Sequence, residues 1–122
     1  MLIDIDNISK DYTKKNILVI GDIILDAYEF GKVDRISQEA PVPIVAIDRK
    51  SHKPGGAANV ALNLSGLGVT VELIGIAGDD NNHDELQRCF NHIDNISLHL
   101  VKDQSRPTSV KTRIIADGKQ VA

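Results

Sequence analysis

Hydrophobic and polar positions along this chain follow two rhythms, each confined to its own stretches. The first is the continuous apolar run. Asn16-Ile17-Leu18-Val19-Ile20, closed by Gly21, reads as a strand of a parallel sheet buried on both faces, and Val69-Thr70-Val71-Glu72-Leu73-Ile74-Gly75-Ile76-Ala77 as a second buried strand. Ser97-Leu98-His99-Leu100-Val101 is a third, shorter one. The second rhythm is strict alternation, seen in Phe30 to Ser37, in Pro43 to Lys50 and again in Thr108 to Ala116. Alternation marks strands with one face in water. Pro41 and Pro43 suit an edge or a strand entry rather than the centre of a sheet. Asp117-Gly118 is a hairpin-turn pair, and Lys119-Gln120-Val121-Ala122 begins the returning strand.

Between these strands lie two helical stretches. Lys53-Pro54-Gly55-Gly56-Ala57-Ala58-Asn59-Val60-Ala61-Leu62-Asn63-Leu64 couples a glycine turn to a helix too apolar for a surface position, running to about Leu67 and stopped by Gly68. Pro54 is expected to end whatever element precedes it. Ala57, Ala58 and Ala61 allow this helix to sit close on a sheet. With its flanking strands the helix completes a parallel strand-helix-strand crossover. The second helix is expected over about Asp84 to His92. Leu86, Cys89, Phe90 and Ile93 give it a core face, and the loop Gly78-Asp79-Asp80-Asn81-Asn82 supplies its cap. Leu2, Ile5 and Ile8 have the spacing of a short amphipathic lead-in helix. The fold class is α/β: a parallel sheet interrupted by a smaller, half-exposed sheet that could cover its ligand end as a lid.

Candidate chemistry gathers at the carboxyl end of the first strand, where open α/β sheets bind ligands. Asp22 follows the turn and has a plain structural use as an Asx turn. Asp26 stands in an otherwise apolar run, where an unpaired carboxylate is costly, so it needs partners, and ligand hydroxyls would serve. Asn59 falls in the first helical turn among N–H groups with no partner inside the helix, a place for a polyol or an anion. The bland alternative is a glycine-rich turn into a buried helix.

Composition narrows the setting. The chain has 122 residues, 42% of them hydrophobic and 25% charged, which is one modest globular domain and not a disordered segment. A net charge of -3 with dispersed Lys and Arg leaves no footprint for nucleic acid or an anionic membrane. Only 3% of residues are aromatic, so the core must be aliphatic. Cys89, the single cysteine, excludes an internal disulfide and fits a reducing cytoplasm. His52, His83, His92 and His99 have no spacing for a structural metal site. The polar start is no secretory signal, and no apolar run is long enough to span a bilayer.

Gly55-Gly56-Ala57-Ala58-Asn59-Val60-Ala61, followed after six residues by Gly68 and after nine more by Gly78, resembles the amino-terminal signature of the ribokinase-like (PfkB) carbohydrate kinases. Val19-Ile20-Gly21-Asp22-Ile23-Ile24-Leu25-Asp26 is similar to the first strand of that family and its substrate-side Asp. Arg35-Ile36-Ser37-Gln38-Glu39-Ala40-Pro41-Val42-Pro43-Ile44-Val45 resembles, more narrowly, the heptose-7-phosphate kinase branch, the kinase part of the bifunctional enzyme of ADP-heptose synthesis. The likeness covers residues 16 to 122. It implies ATP-dependent phosphoryl transfer, with Mg2+, to the anomeric hydroxyl of D-glycero-D-manno-heptose 7-phosphate, in the cytoplasm. Asp26 and Asn59 would hold sugar hydroxyls, and Gly55 and Gly56 would let the backbone approach the sugar. Segments 29–50 and 108–122 would form a β-sheet lid that in relatives often makes a homodimer contact. Arg35, Lys111 and Arg113 are candidates for the substrate phosphate, each with a solvated-surface role as the alternative.

The second signature of the family, a Gly-Ala-Gly-Asp turn that supplies the catalytic base and an anion hole, does not occur; Ile76-Ala77-Gly78-Asp79 only completes the first. No catalytic residue or metal ligand is therefore assigned here. The chain reads as the front part of one kinase domain, inactive alone because phosphoryl transfer depends on complete positioning and charge stabilisation. Two rivals remain. A dinucleotide-binding domain needs Gly-x-Gly-x-x-Gly after the first strand, which Gly21-Asp22-Ile23 lacks. A non-catalytic sugar-binding or dimerising module derived from a truncated kinase is compatible with the composition.

Overall fold

The computed structural model describes residues 10–122, so the expected lead-in helix at Leu2, Ile5 and Ile8 lies outside the described residues. Seven strands and two helices follow in order: β1 (Asn16–Ile20), β2 (Ile23–Ile36), β3 (Pro43–Gly56), α1 (Ala57–Gly66), β4 (Thr70–Ala77), α2 (Asn81–Phe90), β5 (Ile96–Lys102), β6 (Val110–Ala116) and β7 (Lys119–Gln120). They form two sheets. One is parallel with order β1-β4-β5; the other has order β3-β2-β6-β7, antiparallel except for the parallel β2–β6 pair.

The core forms where α1, α2 and the inner face of the parallel sheet meet. Ala58 and Ala61 of α1, Val71 and Leu73 of β4 and Leu86 and Phe90 of α2 are buried there, joined by Ile23 and Leu25 from the root of β2. The aliphatic core expected from the low aromatic content is present, and the small residues of α1 bring its backbone close to the sheet. Helix α1 ends as expected, with Leu67 as C-cap and Gly68 in the left-handed region at φ 86°.

Four expectations change. Strand β1 is not buried on both faces. Ile17 and Val19 pack inward, but Leu18 is 57% and Ile20 70% exposed. Its apolar run reflects two different surroundings: the helices cover one face, and among the described residues nothing covers the other, where Ile76 and Val101 also lie open. Pro54 does not end an element. It lies within β3, opposite Leu25, whose N–H is directed to Ser109 O on the other side (2.8 Å). Leu25 and Pro54 are thus a non-hydrogen-bonded pair, and β3 is an edge strand, so the missing proline donor leaves no gap. Gly55 and Gly56 therefore finish a strand instead of forming a loop. Helix α2 begins at Asn81 rather than Asp84, because Asp80 caps it by accepting from His83 N at 3.0 Å.

The alternating segments do build the smaller sheet. Strand β2 leaves the core at Ile23 and runs for 14 residues, its inner half buried and its outer half in solvent. Asp117 and Gly118 have φ 50° and 77°, the signs a two-residue hairpin turn requires.

Candidate functional site

Register places the candidate residues on one face of the smaller sheet. Along β2 the side chains of Ile23, Leu25 and Ala27 go into the core, so Asp26, Tyr28 and Phe30 share the opposite face. Asp26 is paired with Lys53 on β3 and Lys111 on β6, Tyr28 with Ser51 and Arg113, and Phe30 with Arg49 and Ile115. Paired residues stand on the same side of a sheet. The face is thus built from Gly55, Asp26, Lys53, Lys111, Tyr28, Arg113, Phe30 and Arg49.

Asp26 has a protein partner. Its Oδ1 accepts from Arg113 Nη1 at 2.8 Å, with both side chains about four-fifths buried. Arg113 also reaches Tyr28 Oη at 3.4 Å, and its guanidinium lies 5.2 Å from the Tyr28 ring centroid. The hydrogen bond to Asp26 raises the Arg113 pKa further, so this cation is permanent. Lys53 Nζ lies 5.7 Å from the same ring, and Arg49 caps Phe30 at 3.9 Å.

Both glycines are accounted for by contacts within the protein. A Cβ on Gly55 would run into the Asp26 carboxylate, and one on Gly56 into the Asp22 carbonyl oxygen. Gly56 also has φ 59°, and the Asp22 carbonyl accepts from Ala57 N at 2.8 Å, which ties the start of α1 to the root of β2. Asp22 thus acts through its backbone, and its side chain is exposed. Asn59 is exposed in the first turn of α1, with no side-chain hydrogen bond among the described residues.

Not every sequence candidate converges. Arg35 lies nine residues beyond Asp26 on β2, roughly 25–30 Å away at strand rise. It stands with Ser37, Gln38, Glu39 and Ile44 at the far end of the sheet, so within one chain it cannot share a small ligand with Asp26. Lys53, Arg49 and Tyr28 were not singled out from sequence. The usable signal was the two-residue spacing of Arg49, Ser51, Lys53 and Gly55, which the supposed break at Pro54 obscured.

The β6 strand is held to the core by Asp80. Its carboxylate accepts from Thr108 N (2.9 Å) and Thr108 Oγ1 (2.7 Å) as well as from His83 N, while Gly78 N donates to Thr108 Oγ1 (3.0 Å). The Thr108 donors hold the Asp80 carboxyl below its usual range. A folded-state pKa below the unfolded one stabilises above the unfolded value, and the stability is lost as pH falls through the folded value. Asp80→Asn is expected to lower the melting temperature at neutral pH by roughly 5 °C. It should also flatten the acid limb of the melting profile, checked by circular dichroism melts between pH 2.5 and 7 (a range about the free carboxylate pKa). An unchanged acid limb would remove Asp80 from this role.

Burial pushes the Cys89 thiol up, away from nucleophilic use. Among the described residues no three His, Cys, Asp or Glu side chains stand together to hold a metal ion. No described helix is long and apolar enough to cross a membrane.

Comparison with known proteins agrees with this architecture. A solved carbohydrate kinase from Agrobacterium tumefaciens superposes with a TM-score of 0.69 at 24% identity, over 88% of this chain and 34% of that protein, which defines a ribokinase-like fold. The pfkB family carbohydrate kinase model matches residues 14–121, and the chain belongs to that family. Bifunctional protein HldE of Hyphomonas neptunium is 48% identical over 107 residues, and that of Coxiella burnetii (strain RSA 331 / Henzerling II) 44% identical over 110. These alignments take in 88% and 90% of this chain but 22% and 23% of the relatives, so the chain spans about a quarter of their length.

Proposed function

We propose that this chain is the acceptor-binding part of one ATP-dependent carbohydrate kinase domain. Its substrate is D-glycero-D-manno-heptose 7-phosphate, phosphorylated at the anomeric hydroxyl on the route to ADP-heptose and the lipopolysaccharide core. The observation that carries the proposal is the Asp26–Arg113 pair beside Lys111, against a glycine backbone at the start of α1. A carboxylate is the natural acceptor for sugar hydroxyls, and a guanidinium beside it the natural donor to a phosphate. In this reading Asp26 and Asn59 orient the sugar, Arg113 and Lys111 take the 7-phosphate, and the sheet of β2, β3, β6 and β7 is the lid that excludes water.

Binding ATP and Mg2+ falls to parts of the enzyme other than the described residues. This chain's own contribution is therefore to bind and orient the acceptor. The outer lid exposes Val33, Ile36, Val42, Ile44 and Ile47, an apolar tip suited to a homodimer in the cytoplasm. Light scattering tests that association.

The chain alone should give negligible turnover of heptose 7-phosphate with Mg-ATP, because the base and the anion hole for the transferred group are not supplied. A coupled ADP-release assay on the purified chain checks this. Turnover comparable to that of a relative of full length contradicts it.

A further inference from the structure

We infer that Lys53 is a specificity residue that makes this site select a phosphorylated acceptor over the free sugar. This deepens, and rests on, the acceptor-sugar reading above. Asp26 has a lysine directly opposite it on each neighbouring strand, Lys53 on β3 and Lys111 on β6. Directly opposed side chains have Cβ atoms about 5 Å apart, so either ammonium is within reach of the carboxylate. The carboxylate instead pairs with Arg113, one pair further along β6. Among the described residues neither Lys53 nor Lys111 has a carboxylate within salt-bridge distance, whereas Lys50, on the other face of β3, pairs with Glu29 at 2.6 Å. Lys53 and Lys111 are thus the two lysines of this face without a carboxylate partner, and Lys53 lies over the Tyr28 ring.

The charge balance of that face points the same way. Arg49, Lys53, Lys111 and Arg113 stand there with Asp26 as the carboxylate between them, in a chain whose net charge is -3. The Tyr28 ring separates the two halves, with Lys53 from the β3 side and Arg113 from the β6 side. A ligand whose hydroxyl rests on Asp26 would carry any phosphate into the space between them. Lys53 also lies two residues before Gly55 on the same face, so one strand presents both the ammonium and the backbone that fixes Asp26. An ammonium adds to a bidentate arginine a point charge free to follow a tetrahedral phosphate.

The test is calorimetric titration of the full chain with D-glycero-D-manno-heptose 7-phosphate and with unphosphorylated D-glycero-D-manno-heptose. Wild type should prefer the phosphate ester by at least about tenfold, and Lys53→Met should erase about tenfold of that preference. The affinity for the free heptose should stay within about twofold in that variant, since no charged contact to it is removed. Lys53→Arg should restore most of the preference, which a merely structural role for the side chain would not predict. An unchanged preference in Lys53→Met, or an equal loss for both ligands, overturns the assignment while leaving the acceptor-sugar reading in place. A folded wild-type chain that binds neither ligand overturns both.

Discussion

If Asp26 holds the acceptor sugar as proposed, Asp26→Ala is expected to weaken binding of heptose 7-phosphate by about a hundredfold, the loss expected for two charge-assisted hydrogen bonds to hydroxyls. Asp26→Asn should lose about tenfold, since an amide oxygen still accepts but without charge. Stability should respond much less. The pair joins Asp26 to an Arg113 that keeps about a fifth of its side chain in solvent and still lies against the Tyr28 ring once Asp26 is gone, so the fold should survive its removal. Calorimetry for affinity and thermal melts for stability, run on the same samples, separate the two. A large fall in melting temperature with unchanged sugar affinity would make Asp26 a structural residue that holds β6 to β2.

Gly55→Ala and Gly56→Ala should fail in different ways despite being adjacent. At Gly55 the obstacle to a methyl group is a side chain, the Asp26 carboxylate, with its Cγ 3.0 Å away. Asp26 can rotate and the fold can survive, but the carboxylate then leaves Arg113 and the proposed sugar position. Gly55→Ala should therefore stay folded and lose acceptor binding by about a hundredfold, as Asp26→Ala does. At Gly56 the obstacle is the Asp22 backbone carbonyl, and φ is 59°, which disfavours any side chain. Neither can be relieved by rotating a side chain. Gly56→Ala should destabilise by about 2 kcal/mol or more, from left-handed strain plus a displaced α1 start. Melting curves on the two variants check the contrast; equal destabilisation would mean that Asp26 is not free to move.

Much of this was legible in the chain itself. Alternation from Phe30 onward and again from Thr108 identified the second sheet, and Asp117-Gly118 its hairpin. Gly68 marked the end of α1, and the acidic loop before α2 its cap. Strand β1 was misread because a continuous apolar run does not say whether both faces are covered by the same stretch of chain. Pro54 was misread because local rules treat proline as a stop, while the register of an edge strand tolerates it at a non-hydrogen-bonded position. The site divides in the same way. Asp26 stood out because a carboxylate in an apolar run must have a partner, and it has one. That the partner is Arg113, 87 positions away, follows from the parallel β2–β6 pairing, which no local pattern encodes. The same pairing brings Lys111 beside Asp26 and leaves Arg35 at the distant tip.

Everything proposed above turns on whether this face of the smaller sheet holds a phosphorylated sugar. The most direct measurement is a calorimetric titration of the folded chain with D-glycero-D-manno-heptose 7-phosphate, alongside Gly55→Ala, in which only the seat of Asp26 is changed. Saturable binding of one ligand per chain is expected in wild type, and its loss in a Gly55→Ala chain that still unfolds in one cooperative melt. Undiminished binding in Gly55→Ala, or no binding by a wild-type chain with an intact cooperative melt, would contradict the proposal.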